Sequence, residues 1–153
     1  MDKKLQRKIA REGDRRPFAS SGLRCLVRRN REMGNLCGYV GVPKGSVLYG
    51  VDYDQPLCGH KSHMNHTLVS MVPAHGGLTW AGKFRKDGPW YFGFDCAHYY
   101  DFVPYADSLL PLARNTNAVY RDMKYVSSVC RELAGAIAEV EKLAEARVIE
   151  LIL

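Results

Sequence analysis

Two periodicities divide the chain. From Gly22 to about Cys96 the apolar residues come in short runs rich in β-branched and aromatic side chains, whereas from about Asn117 they recur every three or four positions. The first pattern belongs to strands and the second to an amphipathic helix. Gly22–Arg29 and Leu36–Val42 read as strands, and the turn-rich Asn30–Asn35 between them, with Gly34, makes the pair a hairpin. Pro43 ends the second strand because it has no N–H for the ladder. Thr67–Val72, Leu78–Phe84 and Trp90–Cys96 read as further strands, and Trp90–Cys96 has the strongest β character. The expectation is a largely antiparallel sheet of four to five strands. From Lys44 to His66 little periodicity remains, which predicts a long irregular loop. Asp101–Ala113 carries Pro104 and Pro111 and can hold only a helical turn or two.

The helical stripe runs Val119, Met123, Val126, Cys130, Leu133, Ile137, Val140 and Ala144, with Asn115, Thr116 or Asn117 as N-cap candidates. Laid across one face of the sheet, this one long C-terminal amphipathic helix makes the fold class α+β. The same spacing suits a second copy of the helix, and the apolar tail Val148–Leu153 must dock on its own core or on another subunit. A homo-oligomer joined through helix and tail is the expectation.

Length and charge refine this picture. The 153 residues, 46% of them apolar, fit one globular domain. The net charge is +6, yet residues 1 to 32 alone carry eleven Lys/Arg against four Asp/Glu. Residues 1–21 therefore read as a basic, solvated and partly disordered arm, and 22–153 as a single α+β domain. The remainder is close to neutral, which disfavours nucleic acid as the partner. No apolar run is long enough for a membrane span and no secretory signal is evident, so the expected location is the cytoplasm. Five cysteines, Cys25, Cys37, Cys58, Cys96 and Cys130, are an odd number without a CxxC pair, the pattern of reduced thiols.

Candidate chemistry concentrates in four places. Ten of the sixteen aromatic residues lie between Trp80 and Tyr105. In an extended Trp90–His98, Tyr91 and Asp95 share one face and Phe92, Phe94 and His98 the other, so one face can stack a flat ring. His75-Gly76-Gly77-Leu78-Thr79 places paired glycines where backbone N–H groups can approach a phosphate, with the Thr79 hydroxyl nearby. Asp95, His98 and Asp101, joined by His75, can supply general acid/base catalysis, provided the strand ends near Cys96. Cys58, His60, His63 and His66 are zinc-ligand types in a spacing unlike that of common fingers, and a solvated loop without metal is the simpler account.

The strings Leu36-Cys37-Gly38-Tyr39-Val40-Gly41-Val42-Pro43, His75-Gly76-Gly77-Leu78-Thr79 and Trp90-Tyr91-Phe92-Gly93-Phe94-Asp95-Cys96-Ala97-His98 together resemble a group of small phage and prophage proteins of unassigned function. The resemblance spans most of residues 23 to 147, including Tyr120-Arg121-Asp122; the basic arm and the histidine-bearing loop depart from it. It implies an accessory protein that intercepts a host defence, one strategy being to sequester a nucleotide signal. The leading expectation is thus a non-catalytic module binding a small nucleotide-like ligand through His75, Gly76, Gly77, Thr79, Asp95 and His98, with Tyr39, Tyr91 and Tyr99 as stacking rings. One alternative is a phosphodiesterase or other hydrolase using His75 or His98 with Asp95 or Asp101. Another is an inhibitor of a host protein acting through helix and tail.

Overall fold

The fold was obtained as a computed structural model that describes residues 1–57, 67–106 and 117–152, with side chains through residue 146. Arg15–Ser20 (β1), Leu23–Arg29 (β2), Leu36–Val42 (β3), Trp80–Gly82 (β4) and Trp90–Asp95 (β5) form one antiparallel sheet in the order β1-β2-β3-β5-β4. The helices are Lys3–Glu12 (α1), Leu68–Met71 (α2) and Met123–Ile152 (α3). α3 packs on β2 and β3, giving the α+β architecture that the pattern predicts.

The β2–β3 hairpin forms for local reasons. Asn30 Oδ1 accepts from the backbone N–H groups of Glu32 and Met33, each at 2.9 Å, and Gly34 adopts φ +82°, a conformation other residues reach only with strain. Alternation then sorts the side chains. Cys25, Val27, Val40, Phe92 and Phe94 face α3 and are almost fully buried. The α3 stripe of Met123, Val126, Cys130, Leu133 and Ile137 meets them with 2% exposure or less. Each large aliphatic side chain so buried contributes about 1.5–3 kcal/mol. Gly38 sets the closeness of approach, since a Cβ there would meet the Phe94 ring and lie 2.7 Å from Cys130 Sγ.

The opposite face is left uncovered by α3. The register puts Arg15 and Pro17 of β1, Arg24, Leu26 and Arg28 of β2, Tyr39 of β3, Tyr91 of β5 and Trp80 of β4 on it.

Four local expectations change. The basic N-terminal segment is ordered: α1 is capped by Asp2, and β1 adds to β2. Leu5 and Ile9 give α1 an apolar stripe at i, i+4, and Ile9 is buried. Thr67–Val72 is not a strand, because Thr67 and Ser70 form a reciprocal capping box that nucleates α2. The strand expected over Leu78–Phe84 is only Trp80–Gly82 long. α3 begins at Met123, where Asp122 Oδ1 accepts from Tyr125 N at 2.8 Å, so Asp122 takes the capping role expected of Asn115, Thr116 or Asn117; Val119 lies ahead of the helix and is exposed. Asn115, Thr116, the zinc-type residues Cys58, His60, His63 and His66, and the side chains of the apolar tail lie outside the described residues.

The N-terminal segment is held by a buried cation. The Arg29 side chain is 3% exposed and donates to Asp14, Glu12, Tyr120 and the backbone oxygens of Gly13 and Gly34 at 2.8–3.2 Å. Tyr120 also donates to Glu12, and Glu12 accepts from Met123 N at 3.1 Å. Among the described residues no helix is long and apolar enough to cross a membrane.

Candidate functional site

Three segments converge on Asp101. Gly76 (φ +69°) and Gly77 (φ +87°) turn the chain after His75, with Gly77 N–H donating to Ala74 O at 3.1 Å. β5 stops at Asp95, whose Oδ1 accepts from Ala97 N at 3.1 Å, an Asx turn that ends the strand's alternation. The chain then folds so that Asp101 N donates to His98 O and His98 N donates to Asp101 Oδ2, at 2.9 and 3.0 Å. Finally, Phe102 N–H donates to Val119 O and Val119 N–H to Tyr100 O, a bridge that delivers Arg121 beside the turn.

The Asp101 side chain has no exposed surface. His75 Nε2 lies 2.9 Å from both of its oxygens, His98 Nδ1 3.0 Å from Oδ2, and Arg121 Nε 2.9 Å from Oδ1. His75 Nδ1 lies 2.8 Å from the Tyr125 hydroxyl. An ionised carboxylate only accepts, so with both rings neutral the protons sit on His75 Nε2 and His98 Nδ1, and Tyr125 donates to His75. Burial pushes the Asp101 pKa up, but the hydrogen bonds from His75, the His98 backbone, Arg121 and the His98 ring outweigh it and hold the carboxyl below its ordinary 3.8. The bond to Asp101 in turn raises the pKa of Arg121. The His98 ring stacks on Tyr100 at 5.6 Å and 9°, and any side chain at Gly76 would strike it.

The residues expected to form one site divide into three groups. His75, Gly76, His98 and Asp101 come together. Thr79 and Asp95 pair with each other instead, Thr79 Oγ1 donating to Asp95 Oδ2 at 3.0 Å, so Asp95 is no partner for either histidine. Tyr39 and Tyr91 sit on the open sheet face, and Tyr99 is 79% exposed on the His98 loop. Arg121 and Tyr125 complete the Asp101 cluster as residues the sequence reading did not assign to the site; Arg121 lies just ahead of α3 and is brought there by the Asp101–Val119 bridge.

The open face has its own organisation. Phe84 stacks on Trp80 at 5.2 Å and 19°, Tyr39 meets both rings edge-on, and Tyr91 is 4.9 Å from Phe84. The Arg28 guanidinium lies 4.6 Å from the Phe84 centroid and 5.6 Å from that of Tyr39. Burial holds the Tyr39 hydroxyl's pKa up at about 12, so it stays protonated. Beside this stack is a hollow of about 560 Å³ walled by Arg15, Arg24, Arg28 and Arg85, with Pro17, Leu26, Phe84 and Tyr91 among its lining. No carboxylate lines it, and among the described residues none of the four arginines pairs with one.

No known family matches this chain, and no curated protein or solved structure matches it either.

Proposed function

We propose that the protein is a binding module for a small nucleotide-like ligand, held on the open face of the sheet. The observation that carries this reading is the arginine-walled hollow beside stacked rings. Four guanidinium groups, none of which pairs with a carboxylate among the described residues, supply donors for phosphate oxygens, and Phe84 and Tyr91 supply a surface on which a base can lie. The resemblance to small phage-encoded proteins supports a role in which binding without turnover withdraws a nucleotide signal from a host defence. Native mass spectrometry of the purified chain, followed by denaturation and nucleotide analysis of the released fraction, tests it. Recovery of an intact nucleotide, lost in Arg24→Ala/Arg28→Ala, is the expected result; an empty protein that binds neither mono- nor cyclic dinucleotides overturns it.

A second reading, hydrolysis by His75 or His98 with Asp101 as the orienting carboxylate, is favoured by the convergence of both imidazoles on that one side chain. Against it, both ring nitrogens of His75 are engaged and its side chain is 5% exposed. Product formation that stops in His75→Ala while binding persists would replace the first reading with this one.

A further inference from the structure

The Asp101 cluster has a capacity that its hydrogen bonds alone do not express. One ring nitrogen of His75, one of His98 and a carboxylate oxygen of Asp101 all lie within 4.8 Å of one another. We propose that these three residues form a binding site for a divalent transition-metal ion of the zinc, iron or cobalt type, with the remaining coordination positions open to water. The proposal does not depend on the ligand assigned to the open face.

The two separations from Asp101 match the requirement. Around an ion with bonds of about 2.1 Å, neighbouring ligand atoms stand roughly 3 Å apart. Oδ2 of Asp101 is 2.9 Å from His75 Nε2 and 3.0 Å from His98 Nδ1. An ion therefore replaces the two ring protons between these atoms with little movement of the backbone.

The outer partners are in place as well. Ligating imidazoles hold their other nitrogen by a hydrogen bond, and ligating carboxylates are themselves anchored. For His75 that partner is the Tyr125 hydroxyl, 2.8 Å from Nδ1; when the ion takes Nε2, the ring proton moves to Nδ1 and Tyr125 accepts instead of donating. The proton of His98 likewise moves from Nδ1 to Nε2, so no net proton is released. Arg121 Nε anchors Oδ1 at 2.9 Å and the His98 backbone N–H anchors Oδ2 at 3.0 Å, which leaves one lone pair of Oδ2 for the ion. Gly76 lets the backbone lie against the His98 ring and fixes its position.

The donor set selects the class of ion. Two neutral nitrogens and one oxygen, beside a guanidinium that offsets the carboxylate charge, are a poor offer for Mg²⁺ or Ca²⁺, which require several oxygens. Imidazole and carboxylate together suit zinc, iron and cobalt. With three protein ligands the coordination sphere is unfilled, and His98, whose side chain is 25% exposed, marks the side from which water reaches it.

Cobalt(II) and zinc titrated into the metal-stripped full-length chain, followed by calorimetry and cobalt absorption, test the site. The histidines between Cys58 and Thr67 are a rival source of ligands, so the decisive comparison uses two variants. His98→Ala is expected to lose the ion while keeping its circular dichroism, and His60→Ala/His63→Ala/His66→Ala to keep one equivalent per chain. Tyr125→Phe should weaken binding roughly 10-fold or more, as removal of an outer partner does. Absence of stoichiometric binding, retention in His98→Ala, or any dependence on the loop histidines overturns the proposal; should His98→Ala not fold, His98→Gln takes its place.

Discussion

The two polar regions of this protein are built on opposite rules. Around Asp101 every charged group has found its counterpart: one carboxylate with no exposed surface receives two imidazoles, a guanidinium and a backbone N–H. On the open face, four arginines stand around rings, and among the described residues none of them pairs with a carboxylate. Paired charges in a protected place fix three chain segments relative to one another and leave space for nothing larger than an ion and its water. Unpaired charges in an exposed place add little to stability and keep their donors available. The contrast separates a cluster that ties the chain together from a surface open to an organic ligand.

The sharpest way to break it is Asp101→Ala. Removing one partner of a buried ionic cluster strands the others, and a loss of about 3–5 kcal/mol in unfolding free energy, measured by urea titration, is expected. A change below ~1 kcal/mol would mean the cluster is not what ties these segments together. The same carboxylate sets an acid limit. Its folded pKa lies below the unfolded value of 3.8, so its contribution is complete above that pH and is lost as pH falls through the folded value. Acid unfolding followed by circular dichroism should therefore have a shallower dependence below pH 3.8 in Asp101→Asn than in the parent chain.

A smaller effect distinguishes the two faces of the sheet. Gly38→Ala pushes a methyl group against Phe94 and Cys130 on the covered face, and overpacking of this kind costs about 1–3 kcal/mol. Thermal unfolding should show it as a clear drop in Tm. The smallest expected changes are on the open face: Arg24→Ala should alter stability by no more than about 0.5 kcal/mol, and Arg28→Ala, which also loses its ring contacts, by no more than about 1 kcal/mol. A large loss from either would show those arginines to be structural and remove the basis for a binding surface there.

The sequence is most legible where periodicity is enforced by burial. Phe92 and Phe94 alternate with Tyr91 and Gly93, and Met123 to Val140 keep helical spacing, because one side of each element must meet the other's core. Thr67–Val72 was misleading for the converse reason, since its β-branched residues suggest a strand while two hydroxyls, Thr67 and Ser70, cap a helix instead. The N-terminal segment was obscured by its charge: a tally of basic residues conceals that Arg29 is buried and that Glu12 and Asp14 are its partners. In the candidate site, His75, His98 and Asp101 were legible as residue types in neighbouring segments. That Asp95 is excluded from them was legible only in part: alternation puts it on the Tyr91 face, but its bonds to Thr79 and Ala97, which occupy both oxygens, depend on the fold. Arg121 joins only through the backbone bridge between Asp101 and Val119, a long-range pairing that no local pattern announces.

The attachment of α1 also orders events in time. Glu12 accepts from Tyr120 and from Met123 N, partners 108 and 111 residues later in the chain, and Lys8 reaches Asp122 at 2.7 Å. A chain emerging from the ribosome can assemble the β1-β2-β3 meander from contiguous sequence, but these anchors do not exist until residues 120 to 123 have been made. α1, made before the meander, gains its bonds to Tyr120, Asp122 and Met123 only when α3 begins to form.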